Sequence, residues 1–261
     1  AMPTRYKSLE LASDYVAAPA AKGIDAVLMH ALMGRRQYLE EFASDWRGQY
    51  GATLNIDLPG HGDSAMPQED ISIEASAASI VECIQEHRAS ASVLIGQSMG
   101  ALLALQVAAL APNLVRAIVL LDPAPIVLDE ATRKAWAGLL SMMEGEQYPE
   151  ALNILIDAQS APMDEPHRVS ERAVVFQQSD PQAVTRSFAS MLNWDGAAAL
   201  SNIEMPVLGI WAGRNNEPDV LIEHVPHALC GQVVASGHYV HIEAKEQVWS
   251  MLQRFISVSD L

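Results

Sequence analysis

Gly96-Gln97-Ser98-Met99-Gly100 decides the reading of this chain. Val93, Leu94 and Ile95 precede it as a short apolar run, and the apolar stretch Ala101 to Leu110 follows it. A G-x-S-x-G pattern has a physical meaning in that setting: a buried strand turns sharply into a helix with a serine at the apex. The glycines allow close backbone approach where a side chain would clash. The helix beneath the serine presents unpaired N–H groups and a partial positive charge to any anion that develops there. Ser98 is therefore the candidate nucleophile.

Working outward, apolar runs at Ala26 to His30, Thr53 to Asp57 and Ala117 to Leu121 read as buried strands, as do Val207 to Trp211 and Gln232 to Ala235. Leu9, Leu11 and Tyr15-Val16 suggest an opening pair of strands. Helical spacing appears in Tyr38 to Arg47, Ser72 to Arg88, Ala101 to Leu110, 218–225 and Ala244 to Ile256. Alternating strand and helix predicts an α/β fold with a mostly parallel central sheet flanked by helices. The alternation pauses between Ile126 and Asp195, where four helical stretches and several prolines contain no clear buried strand. A helical cap at 126–195 is expected, inserted between the two parts of a core at 1–125 and 196–261.

Composition narrows the functional classes. The chain has 261 residues, is 50% hydrophobic and carries a formal net charge of -16. Such a surface repels phosphate backbones and anionic lipid, so neither nucleic acid nor a membrane is an expected partner. A small-molecule substrate is the expected partner, and nothing fixes the oligomeric state. Cys83 and Cys230 have no C-x-x-C neighbour, and two free thiols are expected. Ala1 to Asp14 carries charges and no apolar core, so no signal peptide is expected and the cytoplasm is the default compartment. No metal-ligand cluster stands out, since His224 and His227 are interrupted by Pro226. No cofactor is implied.

Three further landmarks join the serine turn in order along the chain. They are His30-Ala31-Leu32-Met33-Gly34 after the first buried strand, Asp57-Leu58-Pro59-Gly60-His61-Gly62-Asp63-Ser64 after the second, and Gly237-His238-Tyr239 near the end. With these four the chain resembles the α/β-hydrolase fold superfamily, in its serine-nucleophile branch with a helical cap. The resemblance covers nearly the whole length. It implies a nucleophilic elbow at Ser98, a general base at His238, and an oxyanion hole formed by the backbone N–H groups of Leu32 and Met99. His241, three residues beyond His238, is expected to be a structural hydrogen-bond partner or a pocket-lining residue. Asp57, His61 and Asp63 match a turn that is largely architectural in such proteins.

Two positions depart from the family pattern. Ala31 stands where relatives carry Gly. The usual acid turn, G-x-x-D, reads Gly213-Arg214-Asn215-Asn216, and a neutral amide cannot stabilise an imidazolium as a carboxylate does. Asp122, directly after the strand that follows the elbow helix, is the preferred acid. Asp219 is the alternative, and a dyad without an acid is the third possibility. His30, Trp136, Met143 and Trp194 are the residues expected to contact substrate, and Arg35 and Arg36 lie beside the oxyanion loop.

These residues point to cleavage of a carboxylic ester, lactone or related acyl bond through an acyl-enzyme. A C–C bond hydrolase or a cofactor-independent dioxygenase of a heteroaromatic substrate is the alternative on the same scaffold. A ligand receptor that has lost turnover is a third reading, motivated only by the absent acid. Haloalkane dehalogenase and epoxide hydrolase chemistry would need Asp at position 98.

Overall fold

The computed structural model describes residues 9–19, 21–68, 71–87, 91–212 and 218–261. Among the described residues seven strands form one sheet. They are β1 (Ser13–Val16), β2 (Ala26–Met29), β3 (Thr53–Ile56), β4 (Ser92–Gln97), β5 (Val115–Leu121), β6 (Val207–Trp211) and β7 (Leu229–Gln232). Their spatial order is β1-β3-β2-β4-β5-β6-β7. Only β1 runs antiparallel, against β3, and every other pairing is parallel. The chain leaves β2 for β3 on one side and returns with β4 on the other. The order reverses between β2 and β4, and in open α/β sheets ligands bind at the carboxyl ends of the strands flanking such a point.

Helices cover both faces. They are α1 (Glu40–Gln49), α2 (Ile73–His87) and α3 (Met99–Leu110), then α4 (Glu130–Met143), α5 (Tyr148–Asp157), α6 (Pro166–Gln177), α7 (Pro181–Leu192) and α8 (Gly196–Leu200) between β5 and β6. Last come α9 (Pro218–His224), α10 (Val240–Glu243) and α11 (Lys245–Val258). Strand alternation divides the core into two layers. Val27, Met29, Leu94, Ile118 and Leu120 pack with α2 and α3. Ala26, Leu28, Val93, Ile95 and Val119 face Phe42 and Trp46 of α1 and Trp249 and Leu252 of α11. Nine of the twelve residues of α3 are buried, which explains why its sequence is apolar all round rather than amphipathic.

The five helices α4 to α8 fill the interval where strand signals disappear. Asp129, Asp180 and Asp195 cap the N-termini of α4, α7 and α8, each accepting backbone N–H bonds from the first turn. Trp136 of α4 and Phe188 of α7 meet with ring centroids 4.8 Å apart, tying these helices over the carboxyl ends of the strands.

Two expectations are corrected. The last strand is Leu229–Gln232, not Gln232 to Ala235: its register against Leu208 to Trp211 ends at Gln232. Beyond it the chain turns away, with Val234 70% exposed and Ala235 at φ 57°. The apolar pair Val233-Val234 thus mimics a strand that tertiary pairing does not extend. The opening element is the single strand β1 among the described residues. The signal-peptide reading rests largely on residues 1–8, which lie outside the described residues, as does the turn Gly213 to Asn216. Among the described residues no helix is long and apolar enough to cross a membrane, and both cysteines are free.

Close backbone contact fixes two of the glycines. A Cβ at Gly96 would overlap the Gly100 carbonyl, and a Cβ at Gly100 would overlap the Met29 carbonyl of the neighbouring strand. Both obstacles are backbone and cannot swing aside. Gly100→Ala should therefore destabilise the fold by about 2–3 kcal/mol through overpacking. Urea unfolding reads this directly, and an unchanged midpoint would refute the packing argument.

Candidate active site

The elbow begins where β4 ends. Ser98 sits at φ 54° and ψ -114°, a conformation that costs a non-glycine residue about 1–3 kcal/mol. Its N–H donates to the Leu121 carbonyl of β5 (3.1 Å), and its own carbonyl accepts from Ala101 N–H (3.0 Å). These bonds, with the close packing of Gly96 and Gly100, hold the serine above α3.

One residue beyond the end of β5 stands Asp122, also left-handed at φ 40°. Its N–H donates to the Ile210 carbonyl of β6 (2.7 Å). Its Oδ1 accepts from Ala212 N–H (2.8 Å), and its Oδ2 lies 2.6 Å from His238 Nδ1. The carboxylate is nearly sequestered, with 3% side-chain exposure, against 16% for His238. The Nδ1 contact fixes the imidazole as the Nδ1–H tautomer and leaves Nε2 as an acceptor. The structure thus joins His238 to Asp122. Asp219 instead occupies an exposed position in the first turn of α9.

Ser98 and His238 line one cavity of about 590 Å³. Leu32, Pro123 and Trp211 supply its floor from the strand ends. Trp136, Leu139, Ile154, Phe188 and Met191 enclose it from the inserted helices. The indole of Trp211 extends over Gly209, where any Cβ would overlap it. Thr132 and Gln159 add the polar contacts, and Gln159 Oε1 is buried with no protein partner. Apart from His238 no lining side chain among the described residues is ionisable.

The loop after β2 folds as a tight turn closed by Gly34 N–H to the Ala31 carbonyl (2.9 Å). Its left-handed residue is Met33, at φ 64°, and Ala31 is not among the positive-φ residues. Alanine at 31 therefore carries no backbone penalty. Leu32 borders the cavity, and Met99 opens α3, where helix N–H groups lack intrahelical acceptors.

His30 lies away from the cavity. It is fully buried, its Nδ1 donates to the Ala31 carbonyl (2.7 Å) and its Nε2 accepts from Leu58 N–H (3.0 Å). His61 is its counterpart: Nδ1 donates to the Pro59 carbonyl (3.0 Å) and Nε2 accepts from Met33 N–H (3.1 Å). The two imidazoles brace the two loops against each other. Asp57 accepts from Arg36 N–H (2.7 Å) and Asp63 N–H (2.9 Å) and pairs with the Arg36 guanidinium. That guanidinium also holds Asp14 and Asp63, so it clamps this turn. Met143 and Trp194 also lie outside the cavity lining. Both are buried in the core, and Trp194 Nε1 donates to Gln106 Oε1 (2.8 Å). Of the four residues expected to touch substrate, only Trp136 borders the cavity. Helical spacing identifies apolar faces but not which face opens on the cavity. Gln159 and Trp211 escaped the sequence reading because nothing local distinguishes them.

The family model for the alpha/beta hydrolase fold matches residues 52–245, three quarters of the chain. The chain belongs to the alpha/beta hydrolase fold family. Among sequence relatives of this hydrolase-fold protein, a Haemophilus influenzae protein whose name, esterase/lipase, is itself provisional is 24% identical over 249 residues, covering 88% of this chain and 82% of its own. The pimeloyl-[acyl-carrier protein] methyl ester esterase of Aliivibrio salmonicida is 23% identical, covering 92% and 94%. Among solved structures, the enol-lactonase from Burkholderia xenovorans LB400 superposes with a TM-score of 0.82 at 16% identity, over 97% of this chain and all of that one.

The buried histidines of this fold carry a pH signature. Burial pushes His30 well below the usual imidazole range, lowers His61, and brings His241 down to about 4. His241 donates from Nε2 to the Tyr38 carbonyl (3.0 Å), a structural role. The unfolded chain takes up protons as pH falls through about 6.5, whereas the folded one resists. Stability should be fully present above that value and decline steadily from about pH 6.5 towards 4. Urea midpoints measured across this window test the claim, and a flat profile between pH 7 and 5 would sink it.

Proposed function

We propose that this protein hydrolyses a carboxylic ester, lactone or related acyl bond of a small, largely apolar molecule. One observation carries the reading: an imidazole bonded to a buried carboxylate shares a cavity with a serine on a strained strand-to-helix turn. In this mechanism His238 Nε2 takes the proton of Ser98 as Oγ attacks the carbonyl carbon. The N–H groups of Leu32 and Met99 hold the resulting oxyanion, a contribution of about 3–4 kcal/mol per donor in such sites. His238 returns the proton to the departing alkoxide as the C–O bond breaks. Water then adds to the acyl-enzyme by the same route, His238 taking its proton and passing it back to Ser98 Oγ. Asp122 keeps the ring oriented and stabilises the imidazolium at each step. The esterase and lactonase names among the relatives fit this chemistry.

The lining sets the substrate class. Aromatic and aliphatic side chains surround the serine, and among the described residues no cation lines the cavity to meet a substrate carboxylate. Arg36 is committed to Asp14, Asp57 and Asp63. With the net charge of -16, this favours uncharged acyl groups and alcohols. A second reading, C–C bond hydrolysis or cofactor-independent dioxygenation, draws on one feature: the acid follows β5 rather than β6. Met99, where such dioxygenases usually carry His, weighs against the oxygenase form. Oxygen uptake during turnover separates it from hydrolysis.

A fluorophosphonate should label the wild type at Ser98 and leave Ser98→Ala unlabelled; an unlabelled wild type would overturn the mechanism. Asp122→Asn should lower kcat by about 10³–10⁴-fold, since the amide stabilises the wrong tautomer, whereas Asp219→Asn should stay within about twofold. Equal rates for Asp122→Asn and the parent would refute the acid assignment. Across a matched series, p-nitrophenyl butyrate should exceed p-nitrophenyl hemisuccinate in kcat/KM by at least about tenfold, because the buried carboxylate would find no partner. Comparable values would reject the neutral-substrate reading.

A further inference from the structure

His238 belongs to no helix or strand. It lies in the connection between β7 and α10, so its position depends on what grips that loop. From the sheet side, Gln97 Nε2 donates to the His238 carbonyl (3.3 Å) and Asp122 takes the ring. Gln247 of α11 holds Val234 at the start of this connection with two bonds (2.8 and 3.0 Å), and the inserted block grips the residues next to the imidazole. The His238 N–H donates to the Gln159 carbonyl (3.1 Å), and the Gly237 N–H donates to Asp164 Oδ1 (2.8 Å).

Asp164 is only 4% exposed. Its second oxygen accepts from Ala161 N–H (2.8 Å), and its own N–H donates to the Ala161 carbonyl (3.0 Å). One carboxylate thus closes its own turn and holds the residue before the imidazole. Gly237 is shaped to this contact: a Cβ there would overlap Asp164 Oδ2 and stand 2.7 Å from Ala161 N. The next residue along continues the seam. Glu165 N–H donates to Glu243 Oε2 (3.3 Å) at the end of α10, and Arg172 and Arg168 of α6 bind the same carboxylate at 3.1 and 3.4 Å. Apart from the two bonds between Asp164 and Ala161, every bond in this seam joins the connection between α5 and α6, or α6 itself, to the segment 237–243.

We propose that Asp164 is a positioning residue for His238. Its carboxylate sets the height of the loop so that the imidazole meets Asp122 on one side and the serine on the other. The α5–α6 connection is then part of the mount of the base, not a lid that swings clear of it. Substrate enters without breaking this clasp, since Ile154 of α5 both lines the cavity and is 50% exposed. The inference rests on His238 being the base.

The test uses the full chain with Asp164→Ala and Asp164→Asn. Kinetics on p-nitrophenyl butyrate are normalised to active sites titrated with a fluorophosphonate, and the His238 Nδ1 proton is followed by NMR. Misplacement of a catalytic group by about 1 Å costs on the order of 100-fold. Asp164→Ala should lower kcat about 10–100-fold with KM within about twofold, and should broaden or shift the Nδ1 proton. Asp164→Asn keeps an acceptor for Gly237 and should recover part of the loss. An unchanged kcat per titrated site together with an unshifted proton overturns the proposal. Should Asp164→Ala fail to fold, hydrogen exchange of the Gly237 amide in the wild type decides: strong protection is expected, and exchange at the rate of a free loop overturns it. If the wild type is neither labelled nor active, the hydrolase reading fails, while the NMR and exchange results still report on Asp164.

Discussion

Everything at this site hangs on the bonds made by one carboxylate. Asp122 leaves β5 in a left-handed turn, binds the backbone of β6 through its N–H and its Oδ1, and offers only Oδ2 to His238. Because β5 lies between β4 and β6, the same strand end also receives the Ser98 N–H at Leu121. Ser98 and Asp122 are therefore spaced by the sheet itself, through adjacent parallel strands whose separation is fixed by their ladder. His238, by contrast, comes from a loop, which leaves it the greater freedom. Two backbone-directed grips from the inserted helices remove that freedom.

Strain is concentrated where chemistry is proposed. Met33, Ser98 and Asp122 are left-handed residues with side chains, each costing about 1–3 kcal/mol. Each is over-determined by its surroundings. Met33 is held through its N–H by His61, Ser98 through Leu121, and Asp122 through Ile210 and Ala212. The buried turn around Asp57 has the same function at one remove. Its histidines and Arg36 lock the loop that carries Leu32, so that the loop's backbone N–H groups are held in fixed positions.

Much of this was legible beforehand. Motif and context singled out Ser98 and His238 as candidates, and a missing carboxylate at 216 with a place after a buried strand favoured Asp122 over Asp219; the structure brings His238 and Asp122 into contact. The cavity wall was harder to read. Met143 obeys the helical spacing that marks an apolar face and Trp194 follows the end of α7; both are buried, yet they pack into the core while Phe188 and Met191 face the cavity. His30 sits in a motif next to the site, but the backbone of Leu58 claims its ring. Spacing along one element reports that a face is covered. It does not report what covers it.

By itself the sequence determined the alternation of strand and helix, the sharp turn at Ser98 and the inserted helical block. These depend on local periodicity, glycine placement and proline breaks, which neighbouring residues encode. Only the tertiary structure decided that β7 ends at Gln232 and that His238 meets Asp122 rather than Asp219. It alone revealed that Asp164 reaches Gly237 across 73 positions of chain. Such choices are settled by pairing register and by hydrogen bonds between distant backbones, and a carboxylate carries no local mark of the N–H group it will find.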